Sequence, residues 1–236
     1  MSAWRSECRC CRRSTVETRC PGRPLDYAST GSTDAAAAVR AGVTLRRIHD
    51  VAVTGFGRID PANGGGQYAS CRDWLRAATT IEPPPTLPSD TVALLGRAYR
   101  TLHLGARLMS RTPARLLHGD LVARHVFSEG QEITGVIDLE SVRGGAPVAD
   151  LAGFSLQEPL EMSAALFAGY FEDDKPVKAL MPLALCRLRI AVSLLNYHAL
   201  CNDTALVELR TAQIAAELDD MSSGDLSLLP RITSNL

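Results

Sequence analysis

The sequence predicts an α+β fold, mostly α-helical, with one short β-hairpin near its middle. Three observations lead there. Two β-prone runs, Val126 to Ser128 and Ile133 to Ile137, flank a turn at Glu129 to Gln131 in which Gly130 supplies backbone freedom. Everything after Val148 reads as helix, in segments near 148–156, 160–172, 176–201 and 204–220. Hydrophobic residues make up 46% of the 236-residue chain and charged residues 22%, a balance that lets a domain bury a core. Only 5% of residues are aromatic, so that core rests on Leu, Val, Ile and Ala.

The elements follow in order. Residues 1–16, MSAWRSECRCCRRSTV, are polar and show no period, which predicts a poorly ordered Cys/Arg-rich leader. A turn-rich extended connector fills 17–31. A helix starts at Ser32, with Ser32 or Thr33 as cap, Asp34 in the first turn, and Ala38, Ala41, Leu45 and Ile48 on one face. GFGRIDPANGGGQ (55–67) reads as a flexible loop; its triple glycine lacks the Lys-Ser/Thr that a phosphate loop needs. Ser70 opens a short helix to Ala78 through an S-x-x-D capping box, and EPPPTLP ends it because proline removes donors. Ser89 caps the next helix, along which Val92, Leu95, Tyr99, Leu102, Ala106 and Met109 keep 3–4 spacing. His103 reads as a surface or packing residue. Arg115 to Leu117 is a short strand ahead of the hairpin. Residues 223–236 read as a loose tail, and Arg187, Arg189 and His198 as solvated or helix-packing groups.

Bulk properties exclude some classes. The net charge of −1 argues against a protein built to grip nucleic acid. No stretch reads as a membrane span, since the most apolar run, ALMPLALCRLRIAVSLL, carries Arg187 and Arg189 in its middle. The first 25 residues hold basic groups but no apolar run, so no secretory signal is expected and a cytoplasmic location is. Seven cysteines, four of them crowded at one end, do not form a secreted disulfide framework. Cys8 and Cys11 make a CxxC with Cys20 nearby, but no second CxxC or HxxxH completes a tetrahedral zinc set, and reduced thiols in a basic leader are the plainer reading.

The chemistry concentrates in LLHGDLVARHVFSEGQEITGVIDLESVRGGAPVADLA, Leu116 to Ala152. Asp120, in a loop after a strand, can orient a hydroxyl or accept its proton. Asp138, at the end of the second hairpin strand, can hold a divalent cation such as Mg²⁺, which prefers oxygen ligands. If the hairpin folds back, the two carboxylates meet, one for the nucleophile and one for the metal, as phosphoryl transfer requires. HGD alone is a short string, and loop aspartates commonly cap backbone. HGD, strand, turn, strand, ID and then P-x-x-DLA is a more specific combination.

That combination resembles the core of the aminoglycoside phosphotransferase and choline kinase-like family, small-molecule kinases with a protein-kinase-like fold. LLHGDLVARHVF resembles the catalytic loop, GVIDLE the metal-binding strand end, VADLA the following helix start, AGVTLRRIHDVAVTGFG (41–57) the first large-lobe helix, and ETRCPGRPLD (17–26) the hinge between lobes. The resemblance implies a kinase-like large lobe over 32–222. It implies Asp120 as catalytic base, Asp138 as the main Mg²⁺ ligand, His118 as a brace for the loop and Asp150 as the group that holds the loop backbone. ATP would be the phosphoryl donor, with Phe127 and Ile137 on its adenine side, and a small-molecule hydroxyl compound the acceptor.

Three positions depart from the family pattern. Where the family places Asn as second metal contact, this chain has His125, an imidazole that suits Mn²⁺ better than Mg²⁺. GGAP (144–147) stands where many relatives carry GDP. Only sixteen residues precede the hinge-like stretch, and the two lysines, Lys175 and Lys178, lie far from it, so most of the small lobe and its phosphate-contacting lysine are expected to be absent. Weak ATP binding and slow transfer follow as expectations, with a catalytically inactive binding module as the alternative. Glu158, Glu161, Glu172, Asp173 and Asp174 give the region after 150 an acidic bias that could suit a cationic acceptor, although such a run is more often a solvated surface.

Overall fold

The computed structural model describes residues 3–7, 14–25, 32–172 and 176–223. Cys8, Cys10 and Cys11, Asp173, Asp174 and Lys175, the tail from 224 on, and the capping side chains of Ser32 and Thr33 lie outside the described residues. The fold is α+β and mostly helical. Strands β1 (Ala3–Glu7) and β2 (Ser14–Thr18) form an antiparallel hairpin, so the stretch read as a poorly ordered leader carries strand. Its order comes from backbone pairing, Ala3 against Thr18 through Glu7 against Ser14, which no side-chain period announces.

After β3 (Arg23–Pro24) comes α1 (Ser32–His49), which buries Ala37, Ala38, Ala41 and Leu45. The stretch 55–67, read as a loop, instead holds strands β4 (Phe56–Ile59) and β5 (Gly66–Tyr68). They were masked by glycine: Gly55 and Gly57 take positive φ, and a Cβ on Gly66 would strike the Phe56 backbone. Helix α2 (Cys71–Ala77) starts at Ser70, whose hydroxyl accepts the Asp73 N–H as the capping box predicts. Helix α3 (Ser89–Gly105) is preceded by Pro88 at the cap position with no side-chain cap, so Ser89 lies inside the helix rather than capping it. His103 is exposed.

Strand β6 (Arg115–Leu117) leads into the HGD loop. The hairpin is β7 (Val126–Glu129) with β8 (Glu132–Val136), paired Val126 to Val136, and β9 (Arg143–Gly145) follows. These strands make two antiparallel sheets, in the orders β3-β7-β8 and β5-β4-β9-β6. The described residues after β9 are mostly helical: α4 (Val148–Gln157), α5 (Leu160–Phe171), α6 (Leu180–Leu200) and α7 (Thr204–Ser223). Helix α6 is long and apolar enough to cross a membrane by length and composition, contrary to the sequence reading. It lies inside the helical layer, packed on α4, α7 and α3, with Leu183, Leu188, Val192 and Leu195 buried.

Two close approaches set the site's frame. Helices α1 and α5 cross so tightly that a Cβ on Gly42 would strike the Leu166 carbonyl, and one on Gly169 the Val39 carbonyl. At the hairpin, the Thr134 hydroxyl donates to the Pro21 carbonyl and the Leu25 N–H to the Val126 carbonyl, laying the 19–25 segment along it.

Candidate active site

The HGD loop is held from beneath by Asp150. One of its carboxylate oxygens accepts the His118 N–H at 2.7 Å and the other the Gly119 N–H at 2.9 Å. Gly119 has φ of +85°, and a Cβ there would run into the Ser141 carbonyl and the Arg143 side chain, so only glycine fits. Asp150 is itself buried and gains a third donor from His49 at the end of α1, Nε2 to Oδ2 at 3.1 Å. The other His49 nitrogen accepts from the Tyr170 hydroxyl of α5 at 2.9 Å. Burial, reinforced by the charge of Asp150, pushes the Tyr170 phenol up, so it remains a donor. A single chain of hydrogen bonds thus runs from α5 through α1 to the loop backbone.

His118 fixes the top of the loop. Its Nε2 lies 2.8 Å from the Ile137 carbonyl, which can only accept, so that nitrogen carries the hydrogen. Its Nδ1 then accepts the Asp120 N–H at 3.3 Å. Ile137 also gives its N–H to the His125 carbonyl at 2.9 Å. With Ile137 pinned on both sides, the chain turns out at Asp138, which takes the left-handed conformation (φ 64°, ψ 50°), one that Asp tolerates better than most residues. The turn sends its carboxylate toward His125, with Oδ2 at 3.1 Å from Nε2.

His125 is buried, and its Nδ1 donates to the Asp120 carbonyl at 2.9 Å. Its Nε2 lone pair therefore points toward the Asp138 carboxylate, an arrangement that needs a proton or a metal cation between them. One ligand atom each from Asp120, His125 and Asp138 lie within 4.8 Å of one another. Two carboxylates and one imidazole can hold a first-row divalent cation, and they suit Mn²⁺ at least as well as Mg²⁺. Asp120 and Asp138 are exposed, so the cluster is open to solvent. Phe127, paired with Pro24 on β3, is half-buried, and Ile137 is 37% exposed beside the cluster.

Asp120 also lines a cavity of about 360 Å³ with Trp74, Arg143, Gln157, Arg189 and Ser193, together with Leu117, Leu121 and Ile190. Sequence reasoning missed most of this wall. Arg187 is a packing group, donating to Glu217 at 2.6 Å and to Ser155, but Arg189 faces the cavity rather than solvent. A cation in the middle of an apolar helix was the signal that could have found it. His49, Tyr170 and Trp74 gave no local signal at all. Of the described acids in that run none lines the cavity: Glu158 accepts the Ala123 N–H at 2.8 Å, and Glu172 pairs with Arg46 at 2.9 Å.

Known proteins share this fold. The profile of the phosphotransferase enzyme family matches residues 6–180. No curated protein sequence matches the chain. Among solved structures, a thermostable mutant of aminoglycoside phosphotransferase APH(4)-Ia superposes with a TM-score of 0.72 at 21% identity, over 87% of this chain and 71% of that one. A variant of the same enzyme in ternary complex with ADP and hygromycin B gives 0.72 at 22% identity, over 86% and 70%. A choline/ethanolamine kinase family protein from Mesorhizobium loti gives 0.60 at 16% identity, over 96% and 78%. At these identities the superpositions show a common kinase-like fold.

Proposed function

The chain belongs to the phosphotransferase enzyme family, and from that premise we propose that it transfers the γ-phosphoryl group of ATP to a hydroxyl of a small molecule. The observation that carries the proposal is the double position of Asp120, the one side chain common to the carboxylate–imidazole cluster and to the cavity. A donor phosphate on the cluster side and an acceptor hydroxyl on the cavity side would meet at its carboxylate. The acceptor oxygen forms a bond to the γ-phosphorus, the bond to the β-phosphate oxygen breaks, the hydroxyl proton passes to Asp120, and ADP leaves. Asp138, with His125 and the far oxygen of Asp120, would hold a Mg²⁺ or Mn²⁺ ion, which supplies neutralisation of phosphate charge when bound. Asp150 and His118 keep the loop rigid, so positioning costs little at the moment of reaction. Phe127 and Ile137 offer an apolar platform on the donor side.

A second reading, a binding module without transfer, draws support from the lysines: the chain has only Lys175 and Lys178, and the described Lys178 lies in the turn just before α6 and lines neither cavity. The same fact underlies our proposal that the chain binds ATP weakly and turns it over slowly. Incubation with γ-labelled ATP, Mg²⁺ or Mn²⁺ and a panel of hydroxylated acceptors separates the two. Label on an acceptor, abolished by Asp120→Ala, supports transfer. ATP binding without label on any acceptor supports the binding module.

A further inference from the structure

We infer that the acceptor is an anion, a polyhydroxyl compound bearing one carboxylate or phosphate group that Arg189 and Arg143 clasp while a hydroxyl lies at Asp120. This rests on the phosphotransferase reading and narrows its substrate class. The Asp120 cavity adjoins a second of about 350 Å³, and the two share Trp74, Arg143 and Arg189 in their walls. Arg58 of β4 lines the second. Three guanidinium groups therefore line two adjacent cavities, each of a size that small ligands occupy.

Their charges are not answered from within. Among the described residues none of Arg58, Arg143 and Arg189 has a carboxylate within ion-pair distance. Arg189 is fixed in place: its Nε donates to the Trp74 carbonyl at 3.2 Å, one terminal nitrogen donates to the Ser193 hydroxyl at 3.2 Å, and the guanidinium lies 4.1 Å over the Trp74 ring. Its second terminal nitrogen has no hydrogen-bond acceptor among the described residues. Burial pushes Arg189 down to about 10; Cys186, Tyr68 and Cys71 pull the other way, and the positive charge of Arg143 pushes down with burial. Arg143 gives its Nε to the Ser141 carbonyl, leaving its terminal nitrogens for the cavity.

The described acids on these walls make no ion pair with the three guanidinium groups. Both oxygens of Asp150 are taken by the loop backbone and His49. Asp120 is shared with the cluster that Asp138 and His125 complete. Glu140 stands exposed on the second cavity. A cationic acceptor would meet like charge, whereas a carboxylate or phosphate would give the guanidinium groups the bidentate partner they lack.

The test uses one six-carbon scaffold in four charge states: gluconate, sorbitol 6-phosphate, sorbitol and glucamine. The full chain carrying Trp4→Phe leaves Trp74 as the sole tryptophan, a fluorophore in the cavity wall. Titrations are run without nucleotide, so a chain that transfers nothing still reads out. We expect saturable change with gluconate or sorbitol 6-phosphate at least tenfold tighter than with sorbitol, and none with glucamine. Which anion binds tighter distinguishes a carboxylate from a phosphate ligand. Arg189→Gln should erase the preference and Arg189→Lys keep it; if Arg189→Gln does not fold, Arg143→Gln carries the same expectation. The inference is overturned if glucamine binds as tightly as either anion, if no probe saturates, or if the folded Gln variant keeps the full preference. Charge preference without transfer to any acceptor would instead count against the phosphotransferase reading alone.

Discussion

Asp120 is exposed, and its carboxylate makes no hydrogen bond among the described residues, so Asp120→Ala removes chemistry without removing structure. Transfer to the acceptor should fall about 10²–10⁴-fold, the usual contribution of a positioned base, with an unchanged unfolding midpoint in the same preparation. Position 125 tests the cation. His125→Asn exchanges an imidazole nitrogen for an amide oxygen, and the ratio of Mg²⁺- to Mn²⁺-supported activity should rise, read from initial rates with each metal. Asp120 and Asp138 were legible because each lies in a short local string, HGD or ID, near a strand end, and His125 because it stands where the family pattern places Asn. Arg189 and Arg143 were not, because what gives them meaning is a shared cavity between a helix and a strand some forty residues apart in sequence, and spacing along a chain does not encode that.

At the scale of elements, the HGD loop depends on the crossing of α1 and α5. Tyr170→Phe deletes the hydroxyl that orients His49 against Asp150 and should cost about 1 kcal/mol in urea unfolding. Its kinetic mark should be a lower kcat with little change in KM for the acceptor, since Tyr170 lines neither cavity. The α6–α7 contact is held by a buried ion pair, Arg187 with Glu217. Arg187→Leu leaves a buried carboxylate unpaired and should destabilise by about 3–5 kcal/mol, most of it recovered in the double variant with Glu217→Leu. Burial already lifts the Glu217 carboxyl above its ordinary value against the pull of Arg187. An acid raised on folding binds more protons in the folded than in the unfolded state. Stability of Arg187→Leu should therefore be greatest below the ordinary Glu range and decline as pH rises through the raised value, in denaturation curves taken from acid to neutral pH. Helices were legible from their apolar spacing; β4 and β5 were not, because three- and four-residue strands rich in glycine carry too little side-chain pattern.

The whole molecule places two carboxylates from opposite ends of a folded-back ribbon at one mouth, between a hairpin surface and a cationic cavity. The general architecture could be read from the order loop, hairpin and helices, because that order is continuous in the sequence. What fills the cavity could not, because its walls come from α2, β6, β9, α4 and α6 together. The central claim is that Asp120 and Asp138 share one metal-dependent transfer site, and manganese EPR tests it most directly. With Mn²⁺ and ATP, the account predicts one bound Mn²⁺ per chain, lost in Asp138→Ala and weakened in Asp120→Ala. An unaltered bound Mn²⁺ signal in Asp138→Ala would contradict it.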